Sequence, residues 1–184
     1  MSERGSANAI RAWAAARRIP GPYLERWLAL GAADRAAILE TAEALRMRAG
    51  QLIAAFDLLD EISVREAVPI PGILARAEIR RILDGTGSAP GRASELLAAL
   101  RIMRYPRLAR AADRIARAIA ALGLPRGIKV IAPRELESDE VRIELAAHGG
   151  AELSGLIEAL GRRAPELARI AELVGGVGWN DDEI

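Results

Sequence analysis

The hydrophobic period of this 184-residue chain changes twice, and those changes restrict its fold more than any other feature. Up to Leu122 the apolar residues recur at helical spacing: Ile10, Trp13 and Ala14; then Tyr23, Trp27 and Leu30; then Ile38, Leu39, Ala42 and Leu45. After a break at Arg48 to Gly50 the pattern resumes with Leu52, Ala55, Phe56 and Leu59, giving helix, short turn, helix. Pro71 suits the first turn of a further helix with Ile73, Leu74, Ile79, Ile82 and Leu83. Leu96, Leu97, Leu100 and Met103 form one more before Pro106. At Gly123 the period shifts. Ile128, Val130 and Ile131, then Val141, Ile143 and Leu145, alternate with polar residues as half-buried strands do. From Ala151 it returns to helical, with Leu153, Leu156, Ile157 and Leu160 on one stripe and Pro165 opening a last helix.

These patterns predict an α+β fold, predominantly α. Residues 1–21 read as an N-terminal basic helix or arm and 22–84 as a helical domain with a helix-turn-helix-like unit. The Gly- and Ser-rich stretch 85–91 reads as a linker, 92–175 as a helix-strand-strand-helix domain, and 176–184 as a disordered acidic tail. Aromatic residues are 3% of the chain against 51% apolar, so the core must come from Ala, Leu and Ile on close-packed helices. A two-stranded ribbon is marginal alone. Its simplest extension is pairing with a second copy, which makes Ile128, Val130, Val141, Ile143 and Leu145 the expected homodimer interface.

Charge is distributed unevenly. Residues 101–130 hold seven Arg and one Lys against one Asp, whereas 131–184 hold five Arg against twelve acidic residues. Arg107, Arg110, Arg114 and Arg117 fall at i, i+3, i+7 and i+10, on one face of a helix whose other face carries Leu108, Ala112, Ile115, Ile119 and Leu122. Such a face suits phosphates, with Arg101 and Arg104 on the preceding helix as further candidates; it also suits solvent or pairing with Glu152, Glu158, Glu166 and Glu172.

Enzymatic chemistry is thinly provided. There is no cysteine and one histidine, His148, which precedes Gly149 and Gly150 in a loop, so thiolate chemistry and Cys-type zinc sites are excluded. Gly85–Gly91 and Gly175–Gly178 follow helices and lack the spacing of a phosphate loop, and they read as helix stops. No catalytic residue, metal or cofactor is expected. Met1 to Gly21 lacks the apolar core of a signal peptide, and no stretch approaches about 18 uncharged apolar residues, so the expected location is the cytoplasm, without membrane insertion.

Ile119–Gly123, Ile128–Ile131, Val141–Leu145 and Leu153–Leu160 in this order resemble the C-terminal dimerisation domain of ParB-type chromosome-partition proteins. Upstream, Ala42, Leu45, Met47 and Leu52 resemble the framework of their helix-turn-helix, and the resemblance spans about residues 33–163. It implies a DNA-associated homodimer whose strands pair across the dimer axis, with Arg48 and Gln51 at the start of the second helix as nucleic-acid contacts. Several departures qualify it. The family's nucleotide-binding domain with its Arg-rich box has no counterpart, so CTP binding is not carried over. Ile53, Ala54 and Asp57 occupy the would-be recognition helix, Arg46 stands where the turn usually has glycine, and the loop 134–140 holds Glu135, Glu137, Asp139 and Glu140. Backbone binding is therefore expected rather than base reading, and the alternative is a protein-interaction adaptor that has lost DNA binding.

Overall fold

The computed structural model of the chain describes residues 3–133 and 138–176, with side chains from residue 7. The acidic tail from residue 177 and most of the acidic loop 134–140 lie outside the described residues. The architecture is mostly helical, with one two-stranded antiparallel hairpin between helices near the C-terminus, as the period changes predict. Among the described residues no helix is long and apolar enough to cross a membrane.

The chain divides into two compact units at Arg104/Tyr105. The first contains α1 (Glu3–Arg17), α2 (Gly21–Ala29), α3 (Ala32–Ala44), α4 (Ala49–Glu66), α5 (Ile70–Leu74), α6 (Ala77–Leu83) and α7 (Ala89–Arg104). Its centre is α4, which buries Leu52, Ala55, Phe56, Leu58, Leu59 and Ile62 and packs against α5 and α7. The placement of α7 differs from the sequence reading, which put a domain boundary at 85–91. Ala93, Leu96 and Leu100 of α7 are fully buried in the same core as Ile10, Trp27 and Ile62, and the Arg92 guanidinium donates back to the Leu83 carbonyl across the turn. The Gly-rich segment is thus a folded turn between two packed helices. The helix expected from Pro71 to Leu83 is broken in two, because the chain leaves helical geometry at Arg76 (ψ 144°).

Polar contacts tie these helices at their ends, where backbone groups lack partners. The Asp34 carboxylate accepts the Ile70 N–H at 2.9 Å, capping α5 from the first turn of α3. At the other end of the core, the Arg65 guanidinium donates to the carbonyls of Met103 and Arg104 at 2.7 and 2.6 Å, a cation at the negative end of α7. Glu66 bridges Arg65 and Arg76, and bonding to Arg76 and then Arg65 holds its carboxyl below the usual range.

Three helices stop without glycine. Arg18, Arg46 and Ala67 adopt φ of 55°, 49° and 54° after α1, α3 and α4. At the end of α3, Met47 N–H reaches the Ala42 carbonyl at 2.9 Å and Arg46 N–H reaches that of Glu43 at 3.1 Å, the two bonds of a Schellman turn. The apolar residue after each turn supplies the reason for the strain: Met47 is buried, and Ile19 and Val68 are partly buried against the same core, so the left-handed residue before each turns the chain back onto it. Arg46, itself exposed, does what glycine does at less cost. Arg46→Gly should therefore raise the stability of the chain by about 0.5–1 kcal/mol, read as a higher denaturant midpoint with unchanged slope.

The second unit contains α8 (Pro106–Ala121), β1 (Ile128–Ile131), β2 (Arg142–Leu145), α9 (Gly150–Arg162) and α10 (Ala164–Val174). Pro106 starts α8, and Gly123, at φ 59°, takes the chain out of it. Ile115 and Leu122 pack against Ile170 and Val174 of α10. The strands pair as Ile128↔Leu145, Lys129↔Glu144, Val130↔Ile143 and Ile131↔Arg142, so Ile128, Val130, Ile143 and Leu145 share one face. The ladder continues to the Gly127 carbonyl, which accepts Ala146 N–H at 2.8 Å. At Gly127 the fold admits no side chain, since a Cβ would lie 2.6 Å from the Ala146 oxygen and 2.7 Å from Leu156 Cδ1. That close approach seats α9 on the ribbon through buried Leu156. Gly127→Ala should destabilise the second unit by about 1–3 kcal/mol, measured by thermal unfolding, because backbone must move to admit the methyl group.

Candidate nucleic-acid interface

α8 is amphipathic for a local reason: Ala111 and Ile115 are buried, and exposed positions at helical spacing around them, 107, 110 and 117, carry Arg. Arg107, Arg110 and Arg117 are exposed and Arg114 is half-buried. Arg117 pairs with Asp113 at 2.7 Å on its own helix, and Arg110 Nε reaches only the Pro106 carbonyl at 3.4 Å. Among the described residues no ion pair engages Arg107 or Arg110, and neither they nor Arg117 pairs with an acid of α9 or α10. Those acids are used locally: Glu152 accepts the His148 N–H ahead of α9, and Glu166 pairs with Arg163 at 3.2 Å. Arg107 and Arg110, in the first turns of α8, are thus without an ion pair among the described residues, at the end of the helix where its dipole is also positive.

The other arginines proposed for nucleic acid are placed differently. Arg101 is exposed on α7. Arg104 is bonded to Glu61 of α4 and gives its carbonyl to Arg65, which makes it part of the α4–α7 packing. Arg48 is exposed at the start of α4, and Gln51 is occupied there, its Oε1 accepting the Arg48 N–H at 3.1 Å. Gln51 thus caps the helix, half of a capping box. Further along α4, Asp57 and Asp60 are clamped by Arg26 at 2.9 Å each, Tyr23 donates to Asp57, and Glu61 lies exposed beside them. The Arg26 guanidinium also lies over the Phe56 and Tyr23 rings at 4.9 and 5.5 Å. Three acids thus line the outward surface of α4, Asp57 and Asp60 sharing Arg26 and Glu61 paired with Arg104.

The residues expected at a dimer interface separate into two sets. Ile128 is buried, and Val130 and Val141 pack against the core of their own unit. Ile143 and Leu145 remain 38% exposed each, on a strand whose outer edge has no neighbour among the described residues. On α9, Leu153 and Ile157 are 41% and 53% exposed. Sequence periodicity placed these two on a core stripe with Leu156, but only Leu156 is inserted. Among the described residues no three His, Asp or Glu side chains converge where a metal could bind.

No protein family, curated protein or solved structure matches the chain. The fold and the site must be read from their own geometry.

Ile143→Asp places a charge on the exposed apolar face of β2 and should shift a self-associated chain to monomer without loss of helicity, as measured by light scattering and circular dichroism. A solution mass unchanged from wild type would remove β2 from any interface.

Proposed function

We propose that this chain is a non-enzymatic, homodimeric, DNA-associated protein of the cytoplasm, related to the ParB-type partition proteins, that binds nucleic-acid backbone through α8. The observation carrying this reading is the exposed face of Arg107, Arg110 and Arg117, of which only Arg117 has an ion pair among the described residues, with Asp113 of its own helix. Guanidinium groups bind phosphate in bidentate fashion, and contacts of this kind position a protein without reading sequence. Base reading is not part of the proposal, because α4 is committed to packing and Gln51 to capping. Self-association is supported by the open edge and exposed Ile143 and Leu145 of β2. A dimer presents two arginine faces to one duplex.

The test is the variant Arg107→Ala, Arg110→Ala, Arg117→Ala. Alanine keeps α8 helical, so the fold should persist while affinity for generic duplex DNA drops. The slope of log affinity against log salt should become shallower by about three for each protomer engaged, close to one per lost phosphate contact. Wild-type affinity and slope in this variant would assign the face to solvent.

A second reading, a protein-interaction adaptor, is favoured by the acidic outer surface of α4, with Asp57, Asp60 and Glu61. It predicts no DNA binding at low salt.

A further inference from the structure

We propose that the arginine face of α8 is a docking surface for the chain's own acidic C-terminal segment, Trp179–Ile184, which competes there with phosphate. The proposal rests on the reading of that face as an anion-binding surface. Three consecutive acids, Asp181, Asp182 and Glu183, are followed by Ile184, and no basic residue occurs after Arg169, so the segment carries no neutralising charge of its own. On α8 the opposite holds: Arg107 and Arg110 are exposed with no ion pair among the described residues.

The route between them is short. Val174 at the end of α10 is packed with Ile115 and Leu122, so the segment departs from the apolar side of α8, and Gly176 turns the chain with φ 81°. The seven residues from Gly176 to Glu183 can span about 24 Å at full extension. Half the circumference of a helix about 10–12 Å across is roughly 16–19 Å. Arg110 lies five residues along α8 from Ile115, about 8 Å, so the combined path is roughly 18–21 Å and the last acids can reach the guanidinium face of the same protomer without unfolding anything. Tethering makes the encounter intramolecular, at an effective concentration of about a millimolar, where weak exposed ion pairs are sufficient to compete. Strongly salt-dependent attachment follows, because every contact is solvent-exposed.

The experiment uses the full-length chain with the segment neutralised, Asp181→Asn, Asp182→Asn and Glu183→Gln, and a fluorescently labelled peptide of residues 176–184. At low salt the peptide should bind the neutralised chain about three- to tenfold more tightly than the wild-type chain, whose own segment occupies the face. Adding Arg107→Ala, Arg110→Ala and Arg117→Ala to the neutralised chain, with helicity checked by circular dichroism, should abolish that binding. No binding to the neutralised chain, or binding that survives the arginine substitutions, would overturn the proposal. Duplex DNA supplies a separate arm. If the chain ignores DNA but captures the peptide through the arginines, the DNA reading fails and the docking stands. If it binds DNA but not the peptide, the docking alone falls.

Discussion

Burial of α4 is the constraint from which the rest of the first unit follows. A helix with Leu52, Ala55, Phe56, Leu58, Leu59 and Ile62 buried has apolar side chains around much of its circumference, and it must be covered on several sides. α5 and α7 supply part of the cover, and α2 brings Arg26 across the remaining polar strip to Asp57 and Asp60. These pairs are partly exposed and each contributes only about 0–1 kcal/mol, so they orient α2 more than they hold it. Removing the apolar side chains beneath would cost several-fold more, about 2–5 kcal/mol for a Leu or Ile to Ala change.

The second unit is built on the opposite economy. Its core rests on Ile115, Leu122, Ile170 and Val174 with a rim of half-buried neighbours, and it leaves β2 and part of α9 uncovered. Small cores of this kind are marginal, and apolar side chains exposed on an open strand edge favour association. The same unit displays Arg107 and Arg110 of α8 with no ion pair to them among the described residues. Unsatisfied apolar surface and unsatisfied charge occur together there, which is why the functional reading is drawn from the smaller unit.

Much of the architecture was legible from periodicity. The switch from helical spacing to alternation located the ribbon, with β1 and β2 within a residue of the alternating runs. The helical face of Arg107, Arg110 and Arg117 followed from spacing alone, because an amphipathic helix exposes its polar stripe whatever it packs against. Four things were not legible. The stops at Arg18, Arg46 and Ala67 lack glycine, since the left-handed residue is dictated by the apolar residue after it, which packs on the core, and not by its own preference. The Gly-rich segment 85–91 looks like a linker locally, and only the burial of Ala93, Leu96 and Leu100 assigns α7 to the first unit. Gln51, a candidate for base contact by position, is consumed by the cap of α4, a bond of three residues' range that a motif comparison does not weigh. Leu153 and Ile157 share the period of Leu156, yet among the described residues their side of α9 is left exposed.

The central claim is that this fold presents an unneutralised arginine face on a self-associating unit. Binding of the wild-type chain to generic duplex DNA across a salt series, with solution mass recorded on the same sample, tests it most directly. The account predicts a dimer whose log affinity falls linearly and steeply with log salt. A monomer, or a dimer that ignores DNA at the lowest salt, would contradict it.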